Sequence, residues 1–260
     1  MRLCRFEKDG VTRYGSLPVG DHEGFVQPLA GTPFTELVPD GKLVERAVVR
    51  MLAPMLPSKI VAVGRNYRAH AAEMGKPVPE EPLLFLKATT ALLPPEFTIR
   101  MPKESQRVDY EGELAVIIGK QARRVSKEDA LSHVLGYACF NDVTARDIQQ
   151  REVQFTRAKS FDTFAPLGPF IETDFDGRDQ PVRCRVNGEV RQDGRTSDMV
   201  FDIPTLISYI SACMTLLPGD VIATGTPAGV GPLTAGDVVE VEIAGLGVLR
   251  NPVARDGDPA

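Results

Sequence analysis

Three acidic residues alternate with other residues in one short stretch of the chain, at Asp109, Glu111 and Glu113. Alternate side chains of an extended strand point to the same face, so the sequence predicts that these carboxylates lie together. Carboxylates that close repel one another, which either raises their pKa values or recruits a cation, usually a hard divalent metal ion. The alternative is an edge strand whose acidic residues face water. The stretch is therefore a candidate metal site.

A second candidate is a histidine followed one helical turn later by a glutamate, His70 and Glu73. We expect both on a helix that Asn66 caps and that runs from Tyr67 to a stop at Gly75. Residues three apart on a helix share a face, so the carboxylate can orient the imidazole and support its charged form. This pair suits acid–base catalysis, and the alternative is a histidine with a structural role only.

Further polar residues follow the apolar strand predicted for residues 137–142. Asp142, Arg146 and Gln149 are spaced i, i+4 and i+7, so one helical face would carry all three. An ordinary Asp–Arg pair on a helix is the alternative. Lys159 lies in a loop among phenylalanines, where it either reaches out to water or is held as a buried cation. By itself the sequence favours the lysine that reaches water.

A glycine-rich loop spans residues 223–231 and includes Thr226. Such a loop lets backbone N–H groups and threonine hydroxyls approach an anion closely. It matches neither the glycine pattern of dinucleotide-binding turns nor that of phosphate-binding P-loops, so the sequence does not indicate a nucleotide ligand.

The overall composition limits the classes of function. The chain has 260 residues, of which 43% are hydrophobic and 25% charged, and this is typical of a soluble globular protein. A net charge of −5 argues against nucleic acid or an anionic membrane as a partner. The first residues are too charged for a signal peptide and no stretch resembles a membrane span, so we expect a cytoplasmic protein. Four scattered cysteines predict reduced, buried thiols.

The elements that must position these residues are mostly short strands. Residues 1–57 predict a small β-rich N-terminal domain, and residues 58–256 predict a catalytic domain. Two similar turn-into-strand units, at residues 218–222 and 235–239, suggest a rolled or barrel-like β architecture. The other predicted elements are a short helix from Lys42 to Leu52, strands over residues 58–64 and 83–86, a helix that begins after Ser126 and ends at Gly136, a hairpin that turns at Asn187 and Gly188, and a helix from Ile203 to Met214 that Asp202 caps.

Taken together, these stretches resemble the fumarylacetoacetate hydrolase family, in particular its short bacterial members and its acylpyruvase-like branch. The resemblance covers residues 58–252, and five motifs occur in the family's order. They are residues 64–67 with His70 and Glu73, residues 109–111 with Glu113, residues 141–142 with Arg146 and Gln149, Lys159 with residues 161–162, and residues 224–227 with Gly229.

The resemblance implies an α+β fold that is mainly β, with a mixed β-sandwich or β-roll catalytic domain, a small β-rich N-terminal domain and a homodimer. It implies that Glu111, Glu113 and Asp142 hold Mg²⁺, which Mn²⁺ or Ca²⁺ could replace. It also implies catalytic roles for His70, Glu73 and Lys159. The residues expected around the substrate are Arg65, Tyr67, Arg146, Gln149 and Thr226.

The activity that the resemblance implies is a Mg²⁺-dependent reaction of a small 2-oxo acid or dicarboxylic acid through a metal-chelated enolate. Three carboxylates leave about half of an octahedral shell open, and a 2-oxo acid can fill two places with its carboxylate and keto oxygens. We favour 2-hydroxyhepta-2,4-diene-1,7-dioate (5-carboxymethyl-2-hydroxymuconate type) isomerase in aromatic catabolism. The alternatives are acylpyruvate or fumarylpyruvate hydrolase, oxaloacetate decarboxylase, and a metal- or ligand-binding protein that has lost catalysis.

Overall fold

Short runs of β-branched and aromatic residues alternate along the chain with turns that contain Gly or Pro, a pattern that favours strands over helices. The computed structural model describes residues 1–258, and no helix within them is long and apolar enough to cross a membrane. The helices are α1 (Arg68–Glu73), α2 (Arg146–Arg151), α3 (Thr156–Lys159) and α4 (Ile203–Cys213). The strands are β1 (Arg2–Lys8), β2 (Val11–Ser16), β3 (Phe25–Ala30), β4 (Val38–Pro39), β5 (Val44–Glu45), β6 (Arg50–Leu52), β7 (Ile60–Gly64), β8 (Leu83–Lys87), β9 (Leu92–Leu93), β10 (Ile99–Met101), β11 (Val108–Tyr110), β12 (Gly112–Ile118), β13 (Val134–Asn141), β14 (Thr144–Ala145), β15 (Ala165–Glu172), β16 (Pro181–Val186), β17 (Glu189–Arg195), β18 (Val221–Ala223), β19 (Gly231–Pro232), β20 (Val238–Ile243) and β21 (Gly247–Arg255).

These strands form three sheets. The largest has the order β4-β3-β2-β1-β15-β13-β12-β18-β7-β8, a five-stranded sheet has the order β10-β21-β20-β16-β17, and a small one has the order β14-β11-β19. Strand β12 is buried along its whole length, and it pairs with β13 on one side and β18 on the other. Side chains of the large and the five-stranded sheets, such as Leu114 and Val241, meet in one hydrophobic core. The expected α+β, mainly β fold is confirmed.

The N-terminal strands extend the large sheet. Strand β1 pairs with β15 in antiparallel fashion, with Leu3 opposite Ile171. A second, smaller hydrophobic core lies under these strands and includes Phe6, Val26 and Phe170. The β-rich N-terminal unit is therefore continuous in hydrogen bonding with the rest of the protein.

Several local predictions are confirmed. Asn187 and Gly188 both have positive φ, of 53° and 81°, as a type I′ hairpin turn between β16 and β17 requires. Asp202 caps α4, because its Oδ1 accepts a hydrogen bond of 2.9 Å from the N–H of Thr205. Cys4, Cys139 and Cys184 are buried as expected, whereas the prediction is wrong for the fourth thiol, because Cys213 at the end of α4 is exposed.

Two predicted helices are wrong. Residues 42–52 form β5, a 3₁₀ turn at Arg46–Val48, and β6, which pairs with β1. Residues 126–136 contain only a 3₁₀ turn at Ala130–His133, after which the chain enters β13. In both places pairing with a strand distant in sequence overrides a local helical pattern.

The acidic stretch is also not one strand. The chain leaves β11 after Tyr110 and begins β12 at Gly112, so Glu111 occupies a break between two sheets. Asp109 belongs to the small sheet, while Glu113 belongs to the large one. The three carboxylates are therefore not equivalent members of a single strand face.

Candidate metal centre and active site

Three buried carboxylates converge at the end of the β12–β13 pair. Glu111, Glu113 and Asp142 each offer an oxygen within 4.8 Å of the others. Gly112 lies opposite Asn141 in the strand register, so the residues that flank this pair are brought together. The backbone N–H of Asp142 donates to the carbonyl of Glu111 at 2.8 Å, which fixes the two chain segments. Adjacent strands thus create the cluster from residues some thirty positions apart.

Two buried lysines contact this cluster. Lys159 Nζ lies 2.7 Å from Glu111 Oε2 and 2.6 Å from Asp142 Oδ2. Lys87 Nζ bonds to Asp142 Oδ1 and, at 3.2 Å, to the carbonyl of Val143. The sequence-based preference for a Lys159 that reaches water is therefore wrong, because burial among acids holds the ammonium inside.

Lys87 was not singled out from the sequence. It ends the otherwise apolar strand β8 and its side chain is inaccessible to solvent. The available signal was a lysine directly after an apolar run, because a charge in such a position needs an ionic partner if it is buried.

Arg146 is held on every side by protein groups. Its Nε donates to Asp109 Oδ2 at 2.8 Å, its Nη1 donates to Gln149 Oε1 at 2.6 Å, and its Nη2 bonds to Glu111 Oε1. Arg107 also donates to Asp109, at 2.9 Å. Asp109 thus anchors the arginine that orients Glu111. Asp142 precedes α2, so the prediction of one helical face for Asp142, Arg146 and Gln149 is wrong, although the last two are one turn apart.

The negative charge of Glu113 is much less compensated by neighbouring donors and cations than that of Glu111. Among residues 1–258, the hydrogen-bond donor that reaches it is the backbone N–H of Gly225, at 2.8 Å. Burial, together with the neighbouring Asp142 and Glu111, raises the pKa of Glu113 well above its usual range. Burial alone would also raise the pKa of Glu111, but Lys159 and Arg146 outweigh burial and lower it. The cluster therefore contains an uncompensated carboxylate.

This donor set fits a hard divalent cation. All three side chains supply oxygen, and neither His nor Cys is part of the cluster within residues 1–258. Oxygen-only ligation suits Mg²⁺, Mn²⁺ or Ca²⁺ rather than Zn²⁺. The side-chain oxygens of the cluster accept hydrogen bonds from Lys87, Lys159, Arg146 and the N–H of Gly225, no more than one such bond at each oxygen. A carboxylate oxygen has two lone pairs, so one remains at each for a metal ion.

The His70–Glu73 pair lies beside this cluster. His70 Nδ1 and Glu73 Oε2 are 3.2 Å apart, and Glu73 Oε1 accepts a hydrogen bond of 3.0 Å from the N–H of Gly229 in the glycine-rich loop. The predicted helix begins one residue later than expected, because Tyr67 is the N-cap residue of α1. Asn66 instead bonds through its amide to the carbonyl of Thr224, at 2.7 Å. The helix is thus tied to the loop at both ends.

A cavity of about 470 Å³ opens onto these groups. That volume is within the range of about 300–1,000 Å³ typical of small-molecule sites. Tyr67 and Glu73 do not contribute to its wall, and the buried hydroxyl of Tyr67 has no hydrogen-bond partner within residues 1–258. The predicted site residues that line the cavity are Arg65, His70, Glu111, Glu113, Asp142, Arg146, Gln149, Lys159 and Thr226. The roles of all these residues stay predictions.

The fold and this site define a β-rich protein with a buried acidic centre beside a histidine–carboxylate pair. Residues 59–254 match the family described as Fumarylacetoacetate (FAA) hydrolase C-terminal, and residues 1–54 match the family described as Rv2993c-like, N-terminal. The chain therefore belongs to the fumarylacetoacetate hydrolase family, as its motifs indicated.

Two solved structures and one relative that are similar to this chain are named as enzymes. A 5-carboxymethyl-2-hydroxymuconate delta-isomerase from Mycobacterium smegmatis is 45% identical, with a TM-score of 0.92 over 98% of this chain and 100% of that one. A 2-hydroxyhepta-2,4-diene-1,7-dioate isomerase from Mycobacterium marinum is 44% identical, with a TM-score of 0.92 over 99% and 100%. A mitochondrial oxaloacetate tautomerase of Xenopus laevis is 45% identical over 81% of this chain and 70% of its own length. The chain is an enzyme of this family.

Proposed function

We propose that this enzyme is a Mg²⁺-dependent isomerase of an enol dicarboxylate, 2-hydroxyhepta-2,4-diene-1,7-dioate, or of its tricarboxylate relative 5-carboxymethyl-2-hydroxymuconate. One observation carries the proposal: an oxygen-only carboxylate cluster and a histidine oriented by a carboxylate line one cavity. Two proteins of known structure that are 44–45% identical to the chain are named as isomerases of these two substrates.

Glu111, Glu113 and Asp142 would hold the metal ion. When bound, a divalent ion supplies Lewis acidity toward the oxygens of a 2-oxo or 2-hydroxy acid. The chain's own contribution is a rigid ligand set, because Arg146 and Lys159 hold Glu111 and Lys87 holds Asp142. Preorganised groups of this kind need no rearrangement during the reaction.

His70 is our candidate for the proton carrier. Its Nδ1 faces Glu73, so Nε2 is the nitrogen left for exchange with a molecule in the cavity. Isomerisation removes a proton from the enol hydroxyl and adds one at a carbon of the chain, so the substrate's composition is unchanged. Lys159, which lines the cavity beside Glu111, offsets negative charge that develops on the substrate.

The rest of the cavity suits an unsaturated dicarboxylate. Leu83, Phe85 and Phe155 form an apolar wall, with the two phenylalanine rings in edge contact at 5.5 Å between centroids. Arg65 and Lys76 also line the cavity, and within the part of the chain that the structure describes neither pairs with a carboxylate. Two free cations beside an apolar wall favour a substrate with a second carboxylate over a monocarboxylate.

Oxaloacetate is the second candidate substrate, for keto–enol tautomerisation or decarboxylation. The relative named as an oxaloacetate tautomerase, at 45% identity, favours it. Oxaloacetate is also a dicarboxylate with a 2-oxo acid group, so it would use the same ligands and the same histidine. It leaves more of the 470 Å³ cavity empty than the seven-carbon acid does.

A substrate panel tests this proposal. Ultraviolet absorbance with Mg²⁺ would follow 2-hydroxyhepta-2,4-diene-1,7-dioate, oxaloacetate, acetylpyruvate and fumarylpyruvate. We expect the highest kcat/KM on the first, and loss of turnover after chelation or in Glu111→Ala, while Glu189→Ala on the exposed end of β17 stays active. Faster cleavage of either pyruvate would replace the isomerase with a C–C hydrolase. A folded, Mg²⁺-loaded protein inactive on all four would contradict the proposal.

Three further assignments are part of this proposal. We propose that the enzyme is a homodimer, that it acts in the cytoplasm, and that its domains divide at residues 57 and 58. Light scattering after size-exclusion chromatography measures the mass directly, and a value near the 28.3 kDa of a single chain would exclude the dimer.

A further inference from the structure

One buried amide connects the five-stranded sheet to the metal centre. Strand β17 lies at the edge of that sheet, and Gln192 is the one residue of the strand that is buried. Its neighbours Arg191 and Asp193 are exposed. A buried glutamine must find partners for its carbonyl and its two N–H groups, since an unsatisfied polar atom costs about 1–3 kcal/mol.

Gln192 finds all of these partners in the segments that build the site. Its Oε1 accepts a hydrogen bond of 2.9 Å from the backbone N–H of Gly112. Its Nε2 donates to Thr226 Oγ1 and to the carbonyl of Pro227, both at 2.7 Å. One side chain therefore joins the acidic segment to the glycine-rich loop.

Gly112 is the residue between the two proposed ligands Glu111 and Glu113. Its N–H is held by Gln192, and its carbonyl accepts a hydrogen bond of 2.8 Å from Thr226 Oγ1. There is no spare room, because a Cβ on Gly112 would lie 3.2 Å from the Cβ of Cys184. The backbone between the ligands is thus fixed directly by Gln192 and indirectly through Thr226.

The same bonds fix the direction of the Thr226 hydroxyl. Its hydrogen is donated to Gly112, and the oxygen already accepts a hydrogen bond from Gln192. A hydroxyl has one hydrogen, so the Thr226 side chain has no donor left for a molecule in the cavity that the residue lines. The hydroxyl therefore braces Gly112.

We propose that Gln192 is a positioning residue that sets the affinity of the carboxylate cluster for a divalent ion, acting on Glu111 and Glu113 through Gly112 and Thr226. This inference rests on the proposed metal site. It differs from a role in stability alone, which would lower the melting temperature and leave the affinity of the folded protein unchanged. Loss of an outer partner of a metal ligand typically lowers metal affinity about 10–100-fold.

Titration calorimetry of the metal-free protein with Mg²⁺ and Mn²⁺ tests the inference without any turnover. We expect Gln192→Leu and Thr226→Val each to raise the dissociation constants at least about 10-fold. The double variant should bind the ion no more weakly than whichever single variant binds it more weakly, because both residues act on the same peptide group. Gln180→Leu is the control, since the Gln180 side chain donates one hydrogen bond, to the backbone carbonyl of Asp176, away from the site.

Gln192→Glu is a second test variant, which can be measured if Gln192→Leu does not fold. It keeps an acceptor for the Gly112 N–H and loses the amide donors, so weaker binding by a folded Gln192→Glu protein supports the inference. Dissociation constants within twofold of wild type in a folded variant would overturn it, as would additive losses in the double variant. A wild-type protein that binds neither ion would overturn the proposed metal site, and this inference with it.

Discussion

Glu111 and Glu113 are two residues apart, yet the protein treats their carboxylates in opposite ways. Glu111 contacts Arg146 and Lys159, both buried cations, and Asp109 holds the arginine in turn. Glu113 has no cation as a hydrogen-bond partner among residues 1–258, and its donor is a backbone N–H of the glycine-rich loop. The Glu111 side, which we call the ionic half, is neutralised by buried cations of the chain. The Glu113 side, which we call the neutral half because its hydrogen-bond donor is uncharged, has a carboxylate that an added cation can neutralise.

This asymmetry has a physical consequence for binding. A fully neutralised cluster would attract a divalent ion weakly, and a cluster without cations would resist folding because buried like charges repel. Opposite directions of the two pKa shifts, downward for Glu111 and upward for Glu113, express the same division. The protein can therefore fold without the metal ion, and the folded cluster still attracts a divalent cation.

The largest expected effect on stability comes from a substitution in the ionic half. Glu111→Gln removes the charge that Arg146 and Lys159 share, and leaves two buried cations partly unpaired. Breaking a buried ion pair in this way costs about 3–5 kcal/mol. Urea unfolding of the metal-free protein should show that loss, while Glu189→Gln, whose partner Arg191 is exposed, should show no measurable change. Equal unfolding midpoints for Glu111→Gln and wild type would remove the basis of the comparison.

The next effect concerns the loop that serves the neutral half. Gly225 has φ of +98°, and a Cβ there would lie 2.7 Å from the Cβ of Asn66. Gly236 has a nearly identical φ of +96° with nothing within 4 Å, so it is a matched control. Left-handed backbone costs an alanine about 1–2 kcal/mol at either position, and overpacking adds about 1–3 kcal/mol at Gly225. Chemical denaturation should give Gly225→Ala a lower free energy of unfolding than Gly236→Ala. The reverse order would contradict close packing of the loop.

The sequence was informative where chemistry and local turn signals agree. The alternating carboxylates predicted a candidate metal site, the family resemblance implied Glu111, Glu113 and Asp142 as its ligands, and the Asn-Gly pair predicted its hairpin. Pairing between distant strands was not predictable in the same way, so residues 42–52 and 126–136 were assigned to helices. Lys87 and Gln192 were missed because their function depends on contacts 55 and 80 residues away. A local pattern can indicate that a residue such as Lys87 needs a partner, but it does not identify a partner so distant in sequence.

The smallest effect, and the one with the opposite sign, is expected from Glu113→Gln in the metal-free protein. The amide can still accept the hydrogen bond from Gly225, while the charge that burial disfavours is gone. Because the folded-state pKa of Glu113 is raised, its contribution to stability is complete below about pH 4.5 and is lost as pH rises through the folded-state value. The variant should therefore match wild type in acid and exceed it by about 1 kcal/mol at higher pH. Thermal melts across pH, with chelator present, measure this difference. A variant that is less stable than wild type at every pH would show that Glu113, like Glu111, is already neutralised by the chain, and the distinction between the two halves would fail.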